Sequence, residues 1–358
     1  MLEQEYPENI KIIDNKDKKY FYCTDDLIYK GNKSEIYKGR YATEYKITSN
    51  NSYDTSFSIC VKKEPPYLKF PELETEYNIL DYLQKFFNEK KEEIDPFSFV
   101  PEIYDYYHNV DSPSYLIQKI YGNSVNTIFK MCKYKFSLMS SLLLMEQMLQ
   151  IIHSLHEVGI IHRNLNPHKF LFGKEETLDK LSSKMNQKEI DINPRSQLYL
   201  IDYSSAKFYR TDNDNASNHI KFNDEVKDFY FTNKNFCSIW AELKMEQSRR
   251  DDLYSLFYIM IYLLIGKLPW MDIKSKSKKE RREKIRNLKL CLSNFELCQK
   301  VNKLISNEVE LFAFYLNGLS FDDEPNYIYL KELIAEMQRK VINSKNIKYS
   351  TAMITILN

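Results

Sequence analysis

The chain is 358 residues long, enough for two lobes and a sizeable core. Its 51 Lys and Arg against 50 Asp and Glu give a formal net charge of +1, which argues against electrostatic binding of nucleic acid. No apolar run reaches the roughly 20 residues needed to span a bilayer, and the opening MLEQEYPENI is acidic and polar, unlike a signal peptide.

Residues 1–20 are charged and irregular and read as an N-terminal extension. From 25 to 63 the pattern is strand-like, with apolar runs at Ile36-Tyr37 and 57–61 and a polar hairpin loop at 46–55. Residues 71–87 have helical periodicity, with Leu73, Ile79, Leu80 and Leu83 on one broad face. The charged stretch 88–95 reads as exposed, and 99–107 and 115–121 as two further strands. After Gly122 the pattern turns helical: 140–158, 248–266, 278–288, 308–316 and 329–339 read as helices, with a short buried strand at 198–201. A polar insertion, 173–196, reads as a surface loop. The tail from 341 to 358 ends in the apolar TAMITILN. Strands followed by helices give an α+β protein, and periodicity alone goes no further.

The chemistry is concentrated in residues 162–171, HRNLNPHKFL. This decapeptide resembles the catalytic loop of protein kinases of the casein kinase 1 family, HRDxKPxNFL. The segment 246–270, EQSRRDDLYSLFYIMIYLLIGKLPW, is similar to that family's signature around its F helix almost line for line. The vaccinia-related kinases are the nearest rival family. The resemblance covers about residues 22–340 and implies a bilobal protein-kinase fold, with an N-lobe over about 21–118 and a C-lobe over about 122–340.

Within that frame several positions depart. Asn164 stands where the catalytic Asp belongs, Asn166 where the Lys belongs and Lys169 where the metal-binding Asn belongs. An Asp carboxylate accepts a proton at neutral pH, whereas an amide only hydrogen-bonds. Lys169 donates only and repels a cation, although its ammonium is the right charge to replace a metal beside Asp202. Of the three family glycines in IYKGNKSEIYKG one remains, Gly31; Tyr29 and Ser34 replace the others, and Tyr29 and Lys33 would crowd a phosphate. Lys33 is alternatively a cation for that phosphate.

Other positions match. Lys62 corresponds to the β3 lysine and Glu76 to its helix partner, a pair that positions phosphates in active kinases or simply ties helix to sheet. Asp202 corresponds to the DFG aspartate, followed by Tyr203 and Ser204, the latter expected to stiffen a hinge where glycine permits positive φ. Gln118 takes the gatekeeper position, with the hinge at 119–121. His162 and Asp252 carry structural roles by resemblance, Asp252 anchoring the catalytic loop. NKNFCS at 233–238 puts Asn235 in place of an arginine that helps bind an anion near the substrate groove, with Lys274 retained. His153 and His156 with His162 invite a metal reading, but lack carboxylate or cysteine company, so no metal is expected beyond a weak magnesium at Asp202. The six cysteines, at 23, 60, 132, 237, 291 and 298, form no CxxC pair and fit a reducing cytoplasmic or nuclear compartment.

These departures lead to the expectation of a catalytically inactive member, not an enzyme, acting as a scaffold or allosteric partner of other proteins in a larger assembly, the cytoskeleton included. No cofactor is expected, or ATP without tightly bound magnesium in a vestigial site of Lys62, Glu76, Asp202, Gly31 and Gln118. The alternatives are an atypical active Ser/Thr protein kinase using Lys62, Glu76 and Asp202, and a nucleotide-binding module without transfer.

Overall fold

The computed structural model describes residues 10–15, 18–31, 33–41, 57–68, 71–89, 99–108, 111–173, 197–211, 218–224, 226, 233–291 and 294–345. The hairpin loop expected at 46–55, the insertion beyond Gly173 and the tail beyond Lys345 lie outside them. The chain divides into two compact units, Met1–Gly122 with Tyr199–Ala206, and Asn123–Leu198 with Lys207–Asn358. The β-rich first unit and the helical second unit are those of a bilobal kinase fold.

The first unit holds a six-stranded antiparallel sheet made of β1 (Ile10–Asn15), β2 (Lys18–Lys30), β3 (Glu35–Tyr41), β4 (Phe57–Glu64), β5 (Ile103–Tyr107) and β6 (Ser114–Lys119), in the order β1-β2-β3-β4-β6-β5. Strand alternation divides β4 between two faces. Ile59 and Val61 are fully buried in a cluster with Ile13, Tyr22, Tyr37 and Ile117. Val61 lies opposite Tyr37 on one side and Ile117 on the other, so cross-strand packing fixes the register. Lys62 and Glu64, on the alternate face, meet the helix α1 (Glu72–Glu89). That helix buries Leu73, Glu76, Ile79, Leu80 and Leu83, the stripe read from its periodicity with one carboxylate added. Residues 10–15, read as part of an irregular extension, instead form the edge strand β1 paired with β2. Ile13 is the position that commits it, because its side chain completes the apolar cluster.

The second unit is built on α2 (Val125–Met131), α3 (Leu138–Glu157), α4 (Ile239–Glu242), α5 (Arg249–Ile265), α6 (Lys278–Cys291), α7 (Asn294–Cys298), α8 (Ser306–Asn317) and α9 (Tyr327–Lys345). Short strands are β7 (Ile160–Ile161), β8 (Phe170–Phe172), β9 (Leu198–Leu200, at the boundary between the units), β10 (Lys207–Phe208), β11 (Arg210–Thr211) and β12 (Asn218–His219). The helix α5 is buried from Arg249 to Leu263, so it is the axis of this unit, with α3 packed along it. Serines start the helices: Ser124, Ser137 and Ser238 each accept a backbone N–H from the first turn of α2, α3 and α4. Gly266 ends α5 at φ 87°, and a Cβ there would meet the Tyr134 carbonyl oxygen at 3.2 Å, so glycine is required twice over. The last helix runs through Lys345, past the start of the expected tail at 341. Among the described residues no helix is long and apolar enough to cross a membrane.

Candidate active site

In the first unit the strand β4 places Lys62 against α1, where its ammonium pairs with Glu76 Oε1. The side chains are 6% and 2% exposed, so the pair is almost dry. Burial works against the ammonium, but Glu76 and Asp202 together hold the Lys62 pKa above its ordinary value. Lys62 and Glu76 are therefore paired within one unit, and Asp202 of the same unit attracts the ammonium. Glu64, two residues along the same face, accepts Glu72 N at 2.8 Å and so caps α1. Sequence reasoning missed it, although its spacing from Lys62 was the available signal.

Asp202 itself sits at φ 66°, in the left-handed region, and its Oδ1 accepts the Ser204 hydroxyl at 2.7 Å. The strained residue of this turn is thus Asp202 and not Ser204, so the hinge expected at Ser204 does not require glycine here. Tyr203 is fully buried in the same unit, and its N-terminal neighbour Asp202 is left partly exposed. Gln118 on β6 stands directly opposite Cys60, two residues from Lys62. It is 3% exposed, and its amide nitrogen Nε2 has no hydrogen-bond partner.

At the tip of β2 and β3, Gly31 N donates to Ser34 O at 2.8 Å. A Cβ on Gly31 would come within 3.0 Å of the Tyr29 ring, so Tyr29 lies over the glycine. Lys33, read as a possible phosphate cation, is engaged by Glu72 at 2.6 Å, which corrects that reading: its charge is already balanced by helix α1.

In the second unit the loop after β7 is fixed from beneath by Asp252 on α5. Its Oδ2 accepts His162 N at 2.7 Å and its Oδ1 accepts Arg163 N at 2.9 Å. Arg163 sits at φ 64°, a conformation this double acceptor sustains. The Arg163 guanidinium reaches Glu246 at 3.9 Å, and Lys207 reaches the same carboxylate at 3.0 Å. Asn166 is 2% exposed and works inside the loop: Nδ2 donates to Asn164 O at 3.2 Å and Oδ1 accepts His168 N at 3.0 Å. Lys169 N closes the same turn on Asn166 O at 3.0 Å. Asn164 N approaches His162 Nδ1 at 3.3 Å. The amide at 166 therefore acts as a turn former, a role its family counterpart lysine has no acceptor atom to fill.

The segment around Asn235 is also anchored. Asn235 O accepts Trp270 Nε1 at 2.8 Å, and Asn235 N donates to Asn233 Oδ1 at 3.2 Å. Lys289 on α6 donates to Lys234 O at 2.7 Å and Cys237 O at 2.8 Å and meets Glu242 at 3.3 Å. Lys274, by contrast, is exposed. The three histidines separate into different jobs: His156 lies between Asp252 and Tyr327, His153 stacks on Tyr327 and meets Lys331, and His162 begins the loop.

No family model matches the chain. Curated relatives do. The chain is 33% identical over 244 residues to a probable casein kinase I homolog of Encephalitozoon cuniculi, across 67% of this chain and 71% of the relative. It is 29% identical over 281 residues to casein kinase I homolog 2 of Schizosaccharomyces pombe, across 78% of this chain and 57% of that relative. The chain thus spans little more than half the length of the second. Both relatives are named as kinases, which are enzymes, and this overturns the expectation that the chain is not one. Being 33% identical to that homolog over 244 aligned residues, 71% of the homolog's length, the chain belongs to the casein kinase I family.

Proposed function

We propose that the protein is an atypical Ser/Thr protein kinase that transfers the γ-phosphoryl group of ATP to a protein hydroxyl. The observation that carries this reading is the buried Lys62–Glu76 pair with the partly exposed Asp202 attracting the same ammonium. A desolvated ammonium paired with one carboxylate and attracted by a second is a fixed donor for phosphate oxygens, and its charge costs little to reorganise when a nucleotide enters. The orphaned amide nitrogen of Gln118, two positions along β6 from the residue opposite Lys62, is a further unused donor for the same ligand.

For magnesium the donor set fits in part. Asp202 supplies a carboxylate oxygen, the ligand type that magnesium prefers. Lys169, at the other metal-holding position of the resemblance, carries only donors. Bound magnesium would neutralise charge on the phosphates, and Asp202 is the residue to hold it.

Asn164 changes how the acceptor is handled. Its amide oxygen can accept a hydrogen bond from the incoming hydroxyl and so orient it, but takes no proton. Phosphoryl transfer passes through a loose transition state in which positioning and electrostatics carry most of the catalysis. In that regime the hydroxyl proton leaves late, to solvent, and orientation by an amide sustains a slow reaction.

The test is transfer of radiolabelled γ-phosphate to casein by the purified full chain with magnesium or manganese. Incorporation that Lys62→Ala abolishes supports the reading. Background incorporation alone, in wild type and variant alike, removes it.

A further inference from the structure

On the second unit, the turn from α8 to α9 shapes an open pocket of about 520 Å³, lined by Phe314, Tyr315, Gly318, Leu319, Asp323, Glu324 and Tyr329. Its volume lies within the range of ligand-binding clefts. One wall is aromatic: the Tyr315 and Tyr329 rings pack with centroids 5.4 Å apart, and Tyr315 Oη accepts Asn326 N, so the wall is held by both helices. Phe314 stands beside it 78% exposed, and Leu311, one helical turn earlier on the same face, is 40% exposed. A phenylalanine this exposed at the lip of a pocket is apolar surface that folding has left unspent.

The other side of the pocket is acidic. Asp322, Asp323 and Glu324 are consecutive and all exposed. Asp323 also accepts Ser320 N at 2.7 Å, which fixes the turn that carries them. Two buried arginines interact with this turn, Arg249 and Arg250. Both are 7% exposed; Arg249 donates to the Asp322 carbonyl at 3.0 Å, and Arg250 lies over the Trp240 ring at 3.6 Å. Both guanidinium groups are buried, Arg250 offsets part of the Asp323 charge, and the three exposed carboxylates outnumber these two cations.

We propose that this pocket is a docking site for an extended segment of a partner protein that carries lysine or arginine next to an aliphatic or aromatic side chain. The apolar side chain fills the space against Phe314, Tyr315 and Tyr329, and the cation meets Asp323 and Glu324. The charge complementarity decides the occupant: an acidic segment would be repelled by three carboxylates, and an uncharged one would gain nothing from them. The site stands in the helical unit and does not depend on whether the protein transfers phosphate.

The experiment uses the full chain and a positional-scanning array of short fluorescent peptides, followed by anisotropy titration of the best binder. Selection of lysine or arginine adjacent to leucine, isoleucine or phenylalanine is expected. Phe314→Ala should weaken that peptide about tenfold or more, as truncation of a central anchor does. Glu324→Arg should weaken it as well and flatten its salt dependence between about 50 and about 300 mM NaCl. Both side chains are exposed, so circular dichroism and Tm should match wild type. Selection of acidic peptides, equal binding by Phe314→Ala, or absence of any selected peptide would overturn the proposal. So would concentration-dependent dimerisation in sedimentation that Phe314→Ala abolishes, because the occupant would then be a second copy.

Discussion

His156 and Asp252, 96 residues apart in the chain, meet with 3.1 Å between Nε2 and Oδ2, each about 1% exposed. The Tyr327 hydroxyl sits on the other ring nitrogen. A neutral ring donating from Nε2 to the carboxylate and accepting at Nδ1 from the tyrosine satisfies all three groups. Burial pushes the His156 pKa below its ordinary value of 6.5, against the pull of Asp252. Burial also opposes the charge on Asp252, yet the His156 contact and the backbone donors of the loop hold its pKa below the ordinary 3.8.

The sign of the pH dependence follows. Both groups have depressed folded-state pKa values, so each contributes stability above its unfolded value and loses it as pH falls through the folded one. The His156 contribution is complete above about pH 6.5 and declines below it. Asp251 acts in the opposite sense: burial raises its pKa to about 6, so it takes up a proton in the folded state as pH falls. The histidine signal is therefore isolated by difference. His156→Gln keeps a donor toward Asp252 and cannot titrate. The gap in Tm between wild type and variant should narrow or reverse from about pH 7.5 to about pH 5.5, and parallel curves would remove this account.

Replacing Asp252 is a harsher change. Asp252→Asn offers one acceptor oxygen where the carboxylate receives His162 N, Arg163 N and His156 Nε2. Leaving buried donors unpaired costs about 1–3 kcal/mol each. The expected result is a loss of about 3 kcal/mol or more in urea unfolding. Amide exchange at His162 and Arg163 should also rise, because their acceptor is gone.

The Lys62–Glu76 pair should behave differently for stability and for function. Lys62→Met keeps the stem and removes the cation, leaving the buried Glu76 carboxylate without it. Removal of one partner from a buried pair costs about 3–5 kcal/mol. Glu76→Gln is milder, because the charge of Asp202 still favours the ammonium. Calorimetry should rank the Tm values wild type, Glu76→Gln, Lys62→Met. An ATP-dependent rise in Tm should survive in the first two and vanish in the third. A shift that Lys62→Met retains would show that the nucleotide binds elsewhere.

The parts legible in the sequence were those where a local pattern and a motif agreed. The stripe Leu73, Ile79, Leu80 and Leu83 gave α1, and the apolar run of α5 gave the buried axis of the second unit. The edge strand β1 was hidden because its residues lie among lysines and aspartates, while Ile13 joins the core. Asn166 was legible as a departure from the family, but its use as a turn former depends on where Asn164 O and His168 N fall in space. The activity was misread in the direction of loss: substitutions at Asn164, Asn166 and Lys169 outweighed the retained Lys62, Glu76 and Asp202, whereas the named relatives are kinases.

Lys289 was hidden by its surroundings. The helix expected at 278–288 stops one residue short of it, yet Lys289 falls four residues after the buried Ile285 on the same stripe and its side chain is 0% exposed. Its ammonium holds the Lys234 and Cys237 carbonyls, so it ties α6 to the segment 233–238. Lys289→Met should fit the space and leave both carbonyls and Glu242 without their donor, for a loss of roughly 3 kcal/mol. If the segment helps seat the acceptor protein, KM for casein should rise while KM for ATP holds. Equal changes in both would make Lys289 a stability residue only.

The sharpest prediction concerns the loop itself. Asn164→Asp restores a carboxylate at the position of the base, and Lys169→Asn restores a carbonyl oxygen that can hold a cation. Asn166 should be left alone, because its amide already closes the turn through Asn164 O and His168 N. If Asn164 orients the acceptor without taking its proton, Asn164→Asp should raise kcat by about 10²-fold or more, the range of general-base catalysis. KM for ATP should change little. Lys169→Asn should act on a different quantity, lowering the magnesium concentration needed for half-maximal transfer, because a repelling charge has become a ligand. The two effects should combine in the double variant. A wild-type rate that Asn164→Asp leaves unchanged, with Lys62→Ala still abolishing it, would mean that another group already takes the proton, with Asp202 the first to replace by asparagine.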